Sequence, residues 1–196
     1  MHEKVILTED GSQTIISPHF KERYHSIYGA KTESEVVFID AGLKHAASLS
    51  NETVHILELG FGSGLNAILS YQYAQRNNRT ISYTGYELYP VVESVYKHLN
   101  YGKELGVSEI FEKLHISEWN TEKFFDPYFS FTKINRDIQE INEKERFNVI
   151  YYDAFAPLAQ EELWTISVFE KMFAALQDKG VLVTYCAKGQ VKRNLK

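Results

Sequence analysis

The sequence predicts an α/β fold with a mainly parallel sheet, helices on both of its faces, and an N-terminal extension ahead of it. Three observations predict this. Short apolar runs alternate with stretches of helical spacing from about residue 54 onward. A glycine-rich turn joins the first run to the first helical stretch. Acidic residues fall directly after several of the runs. Strands that alternate with helices form parallel sheets covered on both faces, and such sheets take ligands at the carboxyl ends of their strands.

In chain order, residues 1–50 read as an extension that packs on the core, and residues 51–196 as one domain. In the extension, Thr14-Ile15-Ile16 suggests a short strand and Pro18 starts a new segment. Residues 33–49 carry helical spacing at Val36, Val37, Leu43, Ala46 and Ala47. A strand at 54–59 leads to a helix at about 64–76. A strand at 80–86 leads to a helical stretch after Pro90. A strand at 129–134 precedes the charged stretch 136–146. A strand at 147–152 leads through a loop to a helix at about 161–177. There Leu163, Ile166, Phe169, Phe173 and Leu176 recur at three and four and suggest an apolar stripe. A last strand, 181–186, precedes a basic tail.

Composition narrows the function. The 196 residues fit one domain, and a hydrophobic content of 44% is ample for a core. No apolar run approaches the ~20 residues of a membrane span, and Met1-His2-Glu3-Lys4 opens no signal peptide. The single cysteine, Cys186, excludes an internal disulfide, reads as a small core residue, and fits a cytoplasmic protein. A net charge of −5 argues against general nucleic-acid binding but leaves room for a local basic face. The last nine residues hold Lys188, Lys192, Arg193 and Lys196 and no acid. The seven histidines show no H-E-x-x-H spacing and one cysteine builds no zinc site, so no metal is expected. His19, His25 and His115 read as ordinary polar residues.

The glycine turn is the most informative run. Residues 58–64 read E-L-G-F-G-S-G between strand and helix. Glycines remove side chains where a cofactor approaches the backbone and allow positive φ. A dinucleotide fingerprint, G-x-G-x-x-G, needs glycine where Leu65 stands. Gly60, Gly62 and Gly64, with Glu58 two residues ahead, have the spacing of S-adenosyl-L-methionine (SAM) methyltransferases. Glu87 ends the second strand, 23 residues after Gly64, where an acid accepts hydrogen bonds from ribose hydroxyls. Asp137 follows the strand at 129–134, where such folds bring a carboxylate near the adenine amino group. Asp153 leaves the strand at 147–152 at the mouth of the site. The following Phe155-Ala156-Pro157 is a stiff apolar loop suited to packing on a planar base. The basic tail, through Lys188, Lys192 and Arg193, is a candidate for phosphate contacts, with Lys21, Arg23 and Lys31 next.

Together these motifs resemble a specific family. Ser17-Pro18-His19-Phe20, the run E-S-E-V-V-F-I-D-A-G-L from Glu33, E-L-G-F-G-S-G-L-N from Glu58 to Asn66, and Y-D-A-F-A-P ending at Pro157 are similar to the methyltransferase domain of the tRNA 5-methylaminomethyl-2-thiouridine biosynthesis proteins. Trp164, seven residues past Pro157, and the segment from Gly180 extend the likeness. The resemblance implies a Rossmann-like class I SAM-dependent methyltransferase. It implies methylation of the primary amine of 5-aminomethyl-(2-thio)uridine at the wobble position of the tRNA anticodon loop. Glu58, Gly60, Gly62, Gly64, Asn66, Glu87 and Asp137 would bind SAM. Asp153 would be catalytic, orienting the amine more than deprotonating it, since an ordinary carboxylate is a poor base for an ammonium. Phe155, Pro157, Lys188, Lys192 and Arg193 would bind the substrate. The chain holds no second glycine fingerprint for a flavin domain, and the family's further C-terminal strands are expected to be missing. The loop departs from the D-G-F-A-P of the bifunctional members at Ala154. Rival readings are a methyltransferase of a small-molecule amine, a non-catalytic Rossmann-like binding module, and a nicotinamide oxidoreductase, the last disfavoured by Leu65.

Overall fold

The computed structural model describes residues 4–195. The chain opens with an antiparallel hairpin, β1 (Lys4–Leu7) and β2 (Gln13–Ile16), in which Lys4 lies opposite Ile16. A continuous helical stretch follows: α1 (Ala30–Ser34), a wide-turned π segment (Glu35–Lys44) and α2 (His45–Leu49). It buries Phe38, Ile39, Leu43 and Ala46. Gly42 sits where a Cβ would come within 2.9 Å of Val183 and 3.2 Å of Val149, so glycine lets this helix lie directly on the sheet.

The core then alternates. β3 (Val54–Leu59) leads to α3 (Leu65–Asn77), and β4 (Ile81–Tyr86) to three short helices, α4 (Glu93–Tyr96), α5 (Tyr101–Glu104) and α6 (Ser108–Ile116). A hairpin of β5 (Lys123–Asp126) and β6 (Phe129–Ile134) is followed by a 3₁₀ turn, Ile138–Glu140. β7 (Phe147–Tyr152) leads through the 3₁₀ turn Glu161–Trp164 to α7 (Ile166–Ala175), β8 (Leu176–Val183) and α8 (Gly189–Asn194). The six-stranded sheet has the order β5-β6-β4-β3-β7-β8, all parallel except β5 at its edge. From β3 the chain winds outward to β4 and β6, then returns to place β7 on the other side of β3. The direction of winding reverses between β3 and β7, where a crevice opens beyond the strand ends. Ile56, Tyr83, Phe131, Val149 and Tyr151 join the core under α3 and the N-terminal helix. Leu57, Leu59, Ile150 and Tyr152 join the core under α7.

The expected fold class is the observed one, with local corrections. The stretch after Pro90 is three short helices, broken around Leu99-Asn100 and Gly106-Val107. β5 has no forecast in the sequence reading, and as a four-residue edge strand it carries little periodic signal. The last strand starts at Leu176, five residues earlier than expected, because Gln177-Asp178-Lys179 disguise it. The apolar stripe of α7 is also different. Leu163 and Phe169 are buried, but Ile166 is 58% and Phe173 80% exposed. The helix restarts after an extended Thr165, so its phase is reset and Val168, Phe169, Met172 and Ala175 face the sheet. His25 is buried and His115 half-buried, contrary to their reading as ordinary polar residues.

The phase of α7 is directly testable. Met172→Ala empties a fully buried position and should cost about 2–5 kcal/mol in urea unfolding, whereas Phe173→Ala should stay within about 0.5 kcal/mol of wild type. Equal losses in the two variants would restore the original stripe.

Candidate functional site

The crevice is floored by the turn after β3. Gly60, Gly62 and Gly64 all have positive φ, at 89°, 49° and 77°. At Gly60 a Cβ would approach the Asp153 carbonyl to 2.9 Å, so a side chain there would push β7 away from the turn. Gly60 N–H and Phe61 N–H both donate to the Tyr86 carbonyl at 3.0 Å, which pins the turn to the end of β4. Gly64 caps α3, whose first turn carries Asn66. Half-buried His115 supports the same turn. Its ring stacks on Tyr96 at 4.1 Å, and its Nε2–H donates to the Ser63 carbonyl at 3.2 Å. Burial lowers its pKa to about 3, so the imidazole is neutral at ordinary pH.

Acids stand around this floor after β4, β6 and β7, on both sides of β3. Glu87, after β4, accepts from Gly62 N–H at 2.8 Å and from Tyr89 N–H at 2.7 Å. Asp137, after β6, caps the 3₁₀ turn by accepting from Gln139 N–H at 2.8 Å, and it lines the cavity beside Arg136 and Ile138. Asp153, after β7, donates its N–H to the Leu59 carbonyl and faces the cavity.

Asn66 joins the deepest of these groups. Its side-chain amide donates to Glu58 Oε1 at 2.9 Å and to Asp153 Oδ2 at 2.8 Å. Glu58 is 1% and Asn66 2% exposed. The Tyr83 hydroxyl lies beside the Glu58 carboxyl without closing a geometric hydrogen bond. Glu58 Oε2 and Asn66 Oδ1 are therefore buried acceptors with no hydrogen-bond donor among the described residues. Burial raises the Glu58 pKa well above the carboxylate range, and the neighbouring Asp153 charge raises it further. Asp153 is half-buried by surface area but set deep enough that desolvation dominates. Desolvation, reinforced by the charge of Glu33, lifts its pKa to about 8, against the pull of the Asn66 bond. The premise that Asp153 is an ordinary carboxylate does not hold.

The loop after β7 is held by three side chains that the sequence reading gave no mechanical role. Tyr185 O–H donates to the Ala154 carbonyl at 2.8 Å, Trp164 Nε1–H to the Phe155 carbonyl at 2.8 Å, and Phe155 N–H to Gln160 Oε1 at 3.2 Å. Trp164 is thus the clamp on Phe155. Over the mouth, the extension supplies Phe20, stacked on Phe155 at 4.4 Å, and Tyr24, edge-on to Phe155 at 5.0 Å. A Cβ on Gly62 would meet the Tyr24 ring at 3.0 Å.

Of the residues expected at the site, Glu58, Gly60, Gly62, Asn66, Glu87, Asp137, Asp153 and Phe155 line one cavity. Gly64 acts from behind, as the cap of α3. Pro157 is not on the cavity wall. Lys188, Lys192 and Arg193 lie on or next to α8, outside the cavity, and Lys196 falls outside the described residues. Tyr24, Tyr89 and Gln160 also line the cavity and left no motif by which to find them.

Comparison with known proteins points the same way. Residues 114–196 match a family described as S-adenosyl-L-methionine-dependent methyltransferase. The chain is 26% identical over 207 residues to the tRNA 5-methylaminomethyl-2-thiouridine biosynthesis bifunctional protein MnmC of Cupriavidus metallidurans, covering 97% of this chain and 30% of that protein. It is 26% identical over 204 residues to the protein of the same description from Burkholderia vietnamiensis, covering 95% of this chain and 30% of the relative. The comparisons return the family named from the motifs. The crystal structure of MNMC2 from Aquifex aeolicus superposes with a TM-score of 0.80 at 23% identity, over 98% of this chain and 62% of that one. The chain shares the fold of that structure. The chain spans about 30% of the length of the curated MnmC relatives it matches.

The buried acids tie stability to pH. Asp153 keeps its proton in the folded protein up to about pH 8, while the unfolded chain loses it near 3.8. Between those values the folded state binds more protons, so this contribution is complete below about pH 4 and is lost as pH rises through 8. Glu58 acts with the same sign. Thermal midpoints should therefore fall from pH 5 to 8, and less steeply in Asp153→Asn. An identical slope in wild type and variant would show that Asp153 ionises normally in the fold.

Proposed function

We propose that the chain is a SAM-dependent N-methyltransferase that converts 5-aminomethyl-(2-thio)uridine to 5-methylaminomethyl-(2-thio)uridine at the wobble position of tRNA. The observation that carries this reading is the unpaired buried acceptor Asn66 Oδ1, beside Glu58 and Asp153 in a cavity above the glycine turn. Buried acceptors need donors, and a ligand ending in an ammonium group supplies them. The similarity to MnmC proteins supplies the reaction class, since the printed description of those relatives concerns tRNA 5-methylaminomethyl-2-thiouridine. A tRNA substrate implies the cytoplasm.

The residues divide the work. When bound, SAM supplies a methyl group activated on a positively charged sulfur. Glu58 and Asn66 would hold its amino group, Glu87 would accept from the ribose hydroxyls, and Asp137 would take the adenine amino group. Asp153 accepts a hydrogen bond from the substrate amine and fixes its direction of attack, so that positioning does most of the catalysis. With its pKa lifted to about 8, Asp153 holds its own proton near neutral pH and has to release it before it can accept one from the amine, so orientation is its main role. Phe155 packs on the uracil ring, and Pro157 stiffens the loop behind it. The cations of α8, Lys188, Lys192 and Arg193, form no ion pair among the described residues and are the candidate contacts to tRNA phosphates.

Two variants test the assignment. Glu87→Ala removes charge-assisted bonds of roughly 1.5–3 kcal/mol and should weaken SAM binding in calorimetry by about tenfold or more. An unchanged dissociation constant there would end the ribose assignment. Asp153→Ala should keep SAM affinity and lose roughly 10²-fold or more in methyl transfer to tRNA from cells lacking this modification, followed with radiolabelled SAM. Near-wild-type turnover would show that another group orients the amine. A wild-type protein that methylates a free amine but no tRNA would point to the small-molecule reading, which the net charge of −5 favours.

A further inference from the structure

The N-terminal extension does more than cover the sheet. After β2 the chain folds back on itself over residues 16–23. Ile16 and Arg23 form an antiparallel bridge, Ser17 N–H donates to the Glu22 carbonyl at 2.9 Å, and Lys21 N–H donates to the Ser17 carbonyl at 2.9 Å. Phe20 N–H donates to Ser17 Oγ at 3.2 Å, and Lys21 turns the tip at φ 56°. The result is a short, internally bonded hairpin that stands across the mouth of the cavity.

Its tip carries two kinds of group. The first is aromatic. Phe20 stacks on Phe155 at 4.4 Å and meets the edge of Tyr89 at 5.6 Å, while His19 lies on Tyr89 at 4.9 Å. These rings bridge the loops after β4 and β7, and His19 and Tyr89 are exposed. The second is cationic. Lys21 and Arg23 are exposed and have no ion pair among the described residues, unlike Lys31, Lys44, Lys97 and Lys113, each paired to an acid one turn away. Glu22 lies between them and offsets only one of the two charges.

We propose that the hairpin 16–23 is a grip for single-stranded RNA, which stacks bases next to the target nucleotide on His19 and Tyr89 and binds their phosphates through Lys21 and Arg23. The inference rests on the tRNA reading and extends it to a specific surface. Exposed rings interleaved with cations match the chemistry of an unpaired RNA strand, in which stacking tolerates any base and charge tracks the backbone. An approaching phosphate feels the nearest groups rather than the net charge of −5, so attraction has to come from local cations. Lys21 and Arg23 flank Phe20 and Tyr24, which line the cavity.

The test uses the full chain and tRNA from cells lacking the modification. Affinity is measured against salt for wild type, for Lys21→Ala/Arg23→Ala, and for Lys188→Ala/Lys192→Ala/Arg193→Ala, with circular dichroism to confirm folding. Each lost single-strand phosphate contact flattens the plot of log affinity against log salt by roughly 0.7, so the hairpin variant should lose about 1.4. Its SAM dissociation constant should match wild type. In parallel, an anticodon stem-loop with 5-iodouridine beside the wobble position should photocrosslink to the peptide that contains residues 17–24. An unchanged slope with crosslinks confined to α8 would overturn the hairpin assignment and leave the tRNA reading standing. If wild-type protein shows no salt-dependent tRNA binding, the tRNA reading fails and the grip fails with it.

Discussion

One amide holds the site together. Glu58 ends β3 and Asp153 follows β7, neighbouring strands on either side of the point where the sheet reverses its winding. Two carboxyl groups so close, and so poorly hydrated, repel each other and resist ionisation. The side chain of Asn66 answers both with one nitrogen, which donates to each. It does so from the first turn of α3, so the start of that helix, the end of β3 and the end of β7 share a single fixed geometry. The glycine turn is the backbone consequence. Only a chain without Cβ at Gly60 passes beneath the Asp153 carbonyl on its way from Glu58 to Asn66.

The same arrangement decides the protonation states. Glu58 is pushed toward the neutral form, and Asp153 is lifted to about 8 without being driven out of the range where it ionises. An acid at that level stays protonated near neutral pH and, once ionised, is a stronger base than an exposed carboxylate. The charge of Glu33, on α1, contributes to the lift, so the N-terminal extension tunes the group as well as roofing it. The loop that carries Phe155 is rigid for a separate reason. Tyr185, Trp164 and Gln160 tie Ala154 and Phe155 to the segment after β8 and to the turn before α7.

The legible parts of this molecule were those with local chemistry. β3, β4, β6 and β7 are short apolar runs bounded by polar or glycine residues, and parallel strands buried on both faces have to read that way. Glu87 and Asp153 were legible because an acid at the end of such a run has few structural reasons to be there. The phase of α7 was not legible. Ile166 and Phe173 fit a helical stripe perfectly, yet the break at Thr165 reset the register and left them in solvent. The bond from Asn66 to Asp153 spans 87 positions, and no pattern in sequence reports a contact of that range. Tyr24 and Tyr89 were illegible for the same reason, since each earns its place only from what folds against it. Trp164 was noticed through resemblance, and the structure supplies its physical purpose as a donor to the Phe155 carbonyl.

Net charge was the least informative quantity of all. A value of −5 describes the whole surface, but at a Debye length of about 8 Å an approaching phosphate feels only the nearest groups. Many of the acids that make the total negative are spoken for. Glu93, Glu109, Glu118, Glu140 and Glu143 each face a cation across an ion pair, and Glu58, Glu87 and Asp153 point into the cavity. The proposed substrate, an aminomethyl group on RNA, has an amine for the acids of the cavity and phosphates for the exposed cations, so the distribution of charge matters more than its sum.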